Sequence, residues 1–326
     1  MFSVPKSVHK LLYIFPAMCY SKTKGRDIMK YIERISIPTR DAEESFRLFS
    51  HSIKMESSAY TGSIYPFGVL CEKQRSSYSF EPITIFCGSN GSGKSTLLNV
   101  IAEKTGAERT APFNETPLFA DYLDFCEATY SRSDSLPLGS RIITSDDVFD
   151  YMLDIREKNQ LIDERRERIF GDYRRYITEY DRGVDTRLHS LDDIEEYKCR
   201  NLARRSTKSA YAKQTLKERE LPTMSNGESA FYYFTDRIKE NALYLLDEPE
   251  NSLSAKMQIQ LAKFIEDSAR FYGCQFIIST HSPFILAMRG AKIYDLDRTP
   301  CKEVKWTEIE ACRTYFDFFL SHKDEF

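Results

Sequence analysis

The chain has 326 residues, of which 41% are hydrophobic and 29% charged, enough apolar content for a large core and too much for a disordered or collagen-like chain. Its net charge of -3 gives no global drive toward nucleic acid or an anionic membrane, so any such affinity has to come from a local patch. Eight cysteines (Cys19, Cys71, Cys87, Cys126, Cys199, Cys274, Cys301, Cys312) are scattered without a CxxC pair, which suits reduced thiols in the cytoplasm better than a disulfide frame or a zinc site.

Lys6 and Lys10 precede the apolar run Leu11 to Tyr20, a pattern like a short signal-peptide core. "FPAMCYSK" carries no small-residue cleavage site, and ten apolar residues are too few to span a bilayer. Residues 1–28 are therefore read as an extension, with the architecture opening at Met29 in "MKYIERISI". Residues 30–87 alternate short β-like runs with turn residues and end in the β-branched stretch "EPITIFCG". From Lys94 to about Lys104 the period becomes helical. Residues 107–222 form a polar, heavily charged and mainly helical insert, with Asp146 to Tyr180 one or two long helices and Leu191 to Lys217 another. "LPTMSNGESAFYYF" reads as a helix start, Ser225 being the N-cap and Glu228 the third helical position that closes a capping box. Buried-strand signals return at "ALYLL" and "QFIIS", each followed by a helical segment, as a parallel sheet requires. The expected fold is α/β: a core divided between 29–106 and 223–326, with an N-terminal antiparallel β part and the inserted helical lobe.

Gly88 to Ser95, "GSNGSGKS", fits G-x-x-x-x-G-K-[ST] between a strand and a helix, the context of a P-loop. Gly88, Ser89, Asn90, Gly91, Ser92 and Gly93 would wrap phosphate with backbone N–H groups, helped by the positive end of the following helix. Lys94 would reach the β- and γ-phosphates of a nucleotide, Ser95 would bind Mg²⁺, and Thr96 would bond the α-phosphate. The alternative is a structural Gly-rich turn. In "LYLLDEPE" a buried strand delivers two adjacent carboxylates to its C-terminal end, where open α/β sheets bind ligands. Successive side chains diverge, so Asp247 can hold Mg²⁺ through water while Glu248 takes a proton from attacking water. A plain acidic turn is the simpler reading of that pair. "QFIISTHSPF" ends a strand at Thr280 and His281; His9, His51, His189, His281 and His322 show no metal spacing. A lone histidine is usually structural, but His281 is expected beside Asp247, within reach of a γ-phosphate.

These segments resemble the ATP-binding-cassette class of P-loop ATPases, and "MSNGE" resembles that class's signature, usually written LSGGQ. "LLDEPENSLS" and "ISTHSPFIL" are phrased as in the soluble SMC, RecF and OLD-like branch, with Ser252 in the D-loop position. "YIERISI", "IYPFGVL", "SRIITSDDVFDYM" and "AKIYDLD" are similar to a small group of stand-alone bacterial ATPases of that branch. The resemblance covers about Lys30 to Phe326. It implies ATP hydrolysis with Mg²⁺ in a homodimer packed head to tail, where Ser225 and the N–H groups near Gly227 cap ATP held by the partner's P-loop. One P-loop and one signature per chain make two sites require two copies. Asn226 and Glu228 stand where the class has glycine and glutamine. No glutamine occupies a convincing Q-loop position, and Tyr65 reads either as an adenine-stacking residue or, more simply, as core.

The insert lies where cassette ATPases engage what they move, which implies an effector protein partner. Between Glu195 and Glu220 it carries eight Lys/Arg against four acids, and Arg165, Arg166, Arg168, Arg174 and Arg175 interleave with Phe170, Tyr173 and Tyr176. Such a run can grip DNA; more often it is a solvated helix whose aromatic stripe faces its own core. An ATPase acting in genome maintenance or phage defence is the leading reading. A transporter's nucleotide subunit and an ATP-gated scaffold with little turnover are the others. A nuclease does not fit, because 45 residues follow His281 and no other acidic or His/Cys cluster has metal spacing.

Overall fold

A computed structural model of the chain describes residues 29–50, 64–131, 135–182, 194–216 and 225–325. The expectations for residues 1–28 and for Met224 fall outside them. Among the described residues the strands are β1 (Ile32–Ser36), β2 (Ser77–Ser79), β3 (Ile83–Cys87), β4 (Glu127–Tyr130), β5 (Arg141–Ile143), β6 (Leu243–Asp247), β7 (Gln275–Ser279), β8 (Lys292–Asp295) and β9 (Lys302–Glu303). They form an antiparallel sheet of order β2-β1-β4 and a larger sheet of order β5-β6-β7-β3-β8-β9. The larger sheet is parallel throughout except for β9 at its edge.

The helices are α1 (Arg40–Ser50), α2 (Lys94–Thr105), α3 (Phe119–Asp124), α4 (Ser145–Asp181), α5 (Ile194–Arg205), α6 (Lys208–Thr215), α7 (Asn226–Arg237), α8 (Ala255–Phe271), α9 (Pro283–Leu286) and α10 (Glu310–Ser321). Both faces of the parallel sheet are covered, which is why β3, β6 and β7 read as unbroken apolar runs. On one face Phe86, Leu243, Leu245 and Ile277 meet Leu97, Leu98 and Ile101 of α2, with Ile32, Ile35 and Tyr78 of the small sheet behind them. On the other, Ile85, Tyr244, Leu246 and Ile278 meet Ala230 and Phe234 of α7 and Leu261 and Ile265 of α8. A third cluster, Tyr176, Ala203 and Tyr211, joins α4, α5 and α6 into a helical lobe.

Helix α4 is continuous over 37 residues and starts at a capping box in which Thr144 and Asp147 bond reciprocally. The stretch from Leu191 to Lys217, read as one helix, contains two. The Ser206 hydroxyl donates to the Leu202 carbonyl at 2.6 Å to close α5, and Thr207 caps α6 by accepting the Ala210 N–H at 3.3 Å. Helix α1 falls in a region read as short strands; most of its residues are polar, and the buried face itself carries an acid, Glu43, which accepts the Gly68 N–H at 2.7 Å. The region between 107 and 222 also supplies two strands, β4 beside β1 and β5 beside β6. Among the described residues no helix is long and apolar enough to cross a membrane.

Candidate nucleotide site

Strand β7 lies between β3 and β6, with Ser279 opposite both Phe86 and Asp247. That register brings three loops to one edge of the sheet: Gly88 to Gly93 after β3, Asp247 to Glu250 at the end of β6, and Thr280 with His281 after β7. Parallel strands end their ladders on the same side, so residues far apart in sequence converge there.

The loop after β3 turns tightly onto Lys94, the first residue of α2. Gly93 has φ +94, and a Cβ there would press on Val69 and Leu70 at 3.2 and 3.3 Å. Lys94 is only 3% exposed; its ammonium donates to the carbonyls of Gly88 at 2.9 Å and Ser89 at 3.1 Å and lies 3.7 Å from Glu248 Oε1. The first N–H groups of α2 lack intrahelical acceptors by geometry, leaving them for an anion. Ser92 Oγ is buried with no hydrogen-bond partner among the described residues. Asn90 and Gly91 are exposed on the outer side of the loop.

Ser95 Oγ donates to Asp247 Oδ1 at 3.1 Å, and the Ser279 hydroxyl donates to the same oxygen. Burial pushes the Asp247 carboxyl above its ordinary value; the two hydroxyl bonds oppose the rise, Glu248 adds to it and Lys94 opposes it. Glu248 has φ +48, an uncommon conformation for a residue with a side chain. Its N–H donates to Ser279 O at 3.0 Å and its Oε2 accepts from Asn251 at 3.3 Å. His281 Nδ1 lies 3.8 Å from Glu248 Oε1. Among the described residues no group of three or more His, Cys, Asp or Glu could hold a metal alone. Mg²⁺ bound with phosphates needs only one or two protein ligands, so the Ser95–Asp247 pair fits it.

Ser225 caps α7 as the sequence predicts. Its hydroxyl accepts the Glu228 N–H at 3.3 Å, while Glu228 Oε2 accepts the Ser225 N–H and hydroxyl, each at 2.9 Å. Those bonds, the backbone one first, hold the Glu228 carboxyl below its ordinary value. Gly227 packs against the turn after β6: a Cβ there would lie 2.9 Å from Met257 Sδ and 3.3 Å from Ser252 O. Among the described residues no hydrogen bond or ion pair links Ser225, Gly227 or Glu228 to residues 88–96. The structure thus joins Lys94, Ser95, Asp247, Glu248 and His281 in one cluster and leaves Ser225 and Gly227 outside it.

Several contacts at this edge carry no sequence signal of their own. Asp297, two residues past β8, accepts the Ser89 N–H at 2.7 Å and its hydroxyl at 2.8 Å. Glu250 accepts the His281 N–H at 2.9 Å. Arg156 of α4 donates to Asn226 Oδ1 at 2.6 Å, joining the helical lobe to the start of α7. Tyr65, half-buried, donates from its hydroxyl to Thr96 Oγ1 at 3.3 Å. Of these, Glu250 is the third acid of "DEPE", and Tyr65 and Asn226 lie in stretches the sequence singles out. In the lobe, Tyr176 and Tyr211 are buried, and Arg200, Arg204 and Lys208 lie over the rings of Tyr176, Tyr180 and Phe170. Tyr173, Tyr176 and Tyr211 therefore face the lobe's own core, whereas Tyr180 is exposed.

A family model described as "AAA domain, putative AbiEii toxin, Type IV TA system" matches residues 129–287, from β4 to the end of α9. No curated protein matches the sequence. Among solved structures, the chain is similar to the Smc head domain with an extended coiled coil bound to the C-terminal domain of ScpA from Pyrococcus furiosus. There identity is 13%, the TM-score 0.40, and coverage 89% of this chain and 100% of that one. For the SMC head domain from Thermotoga maritima the values are 15%, 0.30, 70% and 92%. For a dimeric ATP-binding cassette in a post-hydrolysis state with ADP and Pi they are 13%, 0.32, 71% and 88%. With a P-loop motif between β3 and α2, paired carboxylates at the end of β6 and a largely parallel sheet joining them, the chain has an α/β P-loop fold.

Proposed function

We propose that the chain binds ATP with Mg²⁺ at the edge formed by β3, β7 and β6 and hydrolyses it in a head-to-tail homodimer whose opening and closing acts on a partner protein in the cytoplasm. The observation that carries this reading is the convergence of Lys94, Ser95, Asp247, Glu248 and His281 from three separate segments. Lys94 would exchange two carbonyls and Glu248 for phosphate oxygens, leaving Glu248 free to take a proton from attacking water. Ser95 and Asp247 would hold Mg²⁺, Asp247 through water; the ion's chemical contribution is to offset phosphate charge. His281 would bond the γ-phosphate, and Thr96 the α-phosphate. The free thiols of Cys71, Cys87, Cys126, Cys199, Cys274, Cys301 and Cys312 accord with a reducing compartment.

Dimerisation is supported by the cap at Ser225, which among the described residues has no hydrogen bond or ion pair to its own P-loop. In the closed dimer Ser225 and Gly227 would meet the partner's γ-phosphate, each charge-assisted bond contributing roughly 1.5–3 kcal/mol. A protein partner is favoured over DNA because Tyr173, Tyr176 and Tyr211 pack into the lobe's own core and Arg204 and Lys208 lie over the rings of Tyr180 and Phe170. The matched family's description, with its toxin–antitoxin wording, accords with a defence setting.

Glu248→Gln with ATP and Mg²⁺ is expected to elute as a dimer in size-exclusion chromatography, and adding Ser225→Arg to restore the monomer. An elution profile indifferent to both changes contradicts the shared site. Phosphate release by wild type well above that of Glu248→Gln supports turnover; equal, near-background rates support a gated scaffold.

A further inference from the structure

We propose that Glu250 is the positioning residue for His281, one carboxylate fixing both its main chain and its ring so that Nε2 points toward the phosphates. This rests on the ATPase reading above. Glu250 lies in the turn after β6 and is 6% exposed, whereas the His281 side chain is 49% exposed. An imidazole that open to water has nothing in its own loop to choose its rotamer. Glu250 Oε1 accepts the His281 N–H at 2.9 Å and lies 3.5 Å from Nδ1 of the same residue, closer than Glu248 Oε1 at 3.8 Å. A carboxylate at Nδ1 favours the tautomer protonated there and leaves Nε2 as the free nitrogen.

The Glu250 main chain is itself held from behind. Gln258 of α8 donates to the carbonyls of Glu250 at 3.5 Å and Leu253 at 2.9 Å, and accepts the Ser282 hydroxyl at 2.7 Å. The turn after β6 and the loop after β7 are thus tied to one helix side chain. Glu250 Oε2 is buried with no hydrogen-bond partner among the described residues. A carboxylate left half-satisfied in a buried turn is costly, which argues for a role beyond packing. By holding Nδ1, Glu250 also keeps the ring from competing for Glu248, whose carboxylate has to be free to receive a proton.

The test is long-range ¹H–¹⁵N NMR of the imidazoles in the labelled full chain without nucleotide, with the His281 signal identified by its loss in His281→Asn. Wild type is expected to show the Nδ1–H tautomer, and Glu250→Gln to move toward the Nε2–H form. The amide oxygen introduced by Glu250→Gln would still accept the His281 N–H, so this variant separates the ring from the main chain. In steady-state phosphate release Glu250→Gln is expected to lose roughly tenfold to a hundredfold in kcat with KM for ATP within about twofold, and Glu250→Asp to recover part of the loss. Wild type already in the Nε2–H form overturns the proposal, as does a tautomer unchanged by Glu250→Gln, or a rise in KM at constant kcat. A wild type that releases no phosphate overturns the ATPase reading instead, and the tautomer still decides whether Glu250 positions the ring.

Discussion

Gly88 approaches Ser92 so closely that a Cβ built on it would lie 2.5 Å from the Ser92 hydroxyl and 3.2 Å from Asp297 Oδ1. Gly88→Ala has to push that hydroxyl and the Asp297 carboxylate aside, and Asp297 is the group that holds Ser89. The expected cost is about 1–3 kcal/mol of overpacking, read as a lowered midpoint in urea unfolding, together with weakened nucleotide binding. At this scale the sequence was most legible where chemistry demands fixed spacing. Lys94 and Ser95 come from a single motif, and Asp247 and Glu248 from the end of one apolar run. Asp297, Arg156 and Ser279 were invisible because their importance lies in partners that only the folded chain brings within 3 Å or so.

Helix α7 was legible to the residue at its N-terminus because a capping box is a local device: Ser225 and Glu228 need only each other. Its charge is the unusual part. Glu228 is ionised below its ordinary value, so its contribution to the cap is present above the ordinary glutamate range and lost as pH falls through its depressed value. Because Glu228 is only half-buried and its carboxylate is screened by water, Glu228→Gln is expected to cost no more than a few tenths of a kcal/mol. The gap between the two thermal melting points should close in acid. The same change removes a negative charge from the proposed anion site and is expected to raise the ATP-dependent dimer fraction, measured by sedimentation. Helix α1 and the strands β4 and β5 were illegible for opposite reasons. Helix α1 is mostly polar; β4 and β5 span four and three residues and are defined by the strands they pair with.

For the whole molecule, the parallel sheet was legible because its strands are buried on both sides, and the helical lobe because charged helices keep a visible period. How the two meet was not. Binding by one chain and closure between two can be separated thermally. ATP with Mg²⁺ at about one hundred times its Kd adds about 2.7 kcal/mol to a chain that binds it, a rise of a few degrees in Tm. Ser225→Arg is expected to keep that rise at concentrations where wild type is monomeric, and Lys94→Ala to lose it. A loss of the rise in Ser225→Arg alone would mean that Ser225 serves its own nucleotide.

The 2.6 Å bond between Arg156 and Asn226 fastens α4 near its base, and the remainder of that helix, out to Asp181, extends about 38 Å beyond the joint. A tilt of about five degrees at Asn226 therefore sweeps the far tip through about 3 Å. In the proposed dimer the long helix would be a lever with its fulcrum where a second copy's phosphate arrives, and a motion too small to notice at the cap would become a displacement wide enough for a docked protein to feel.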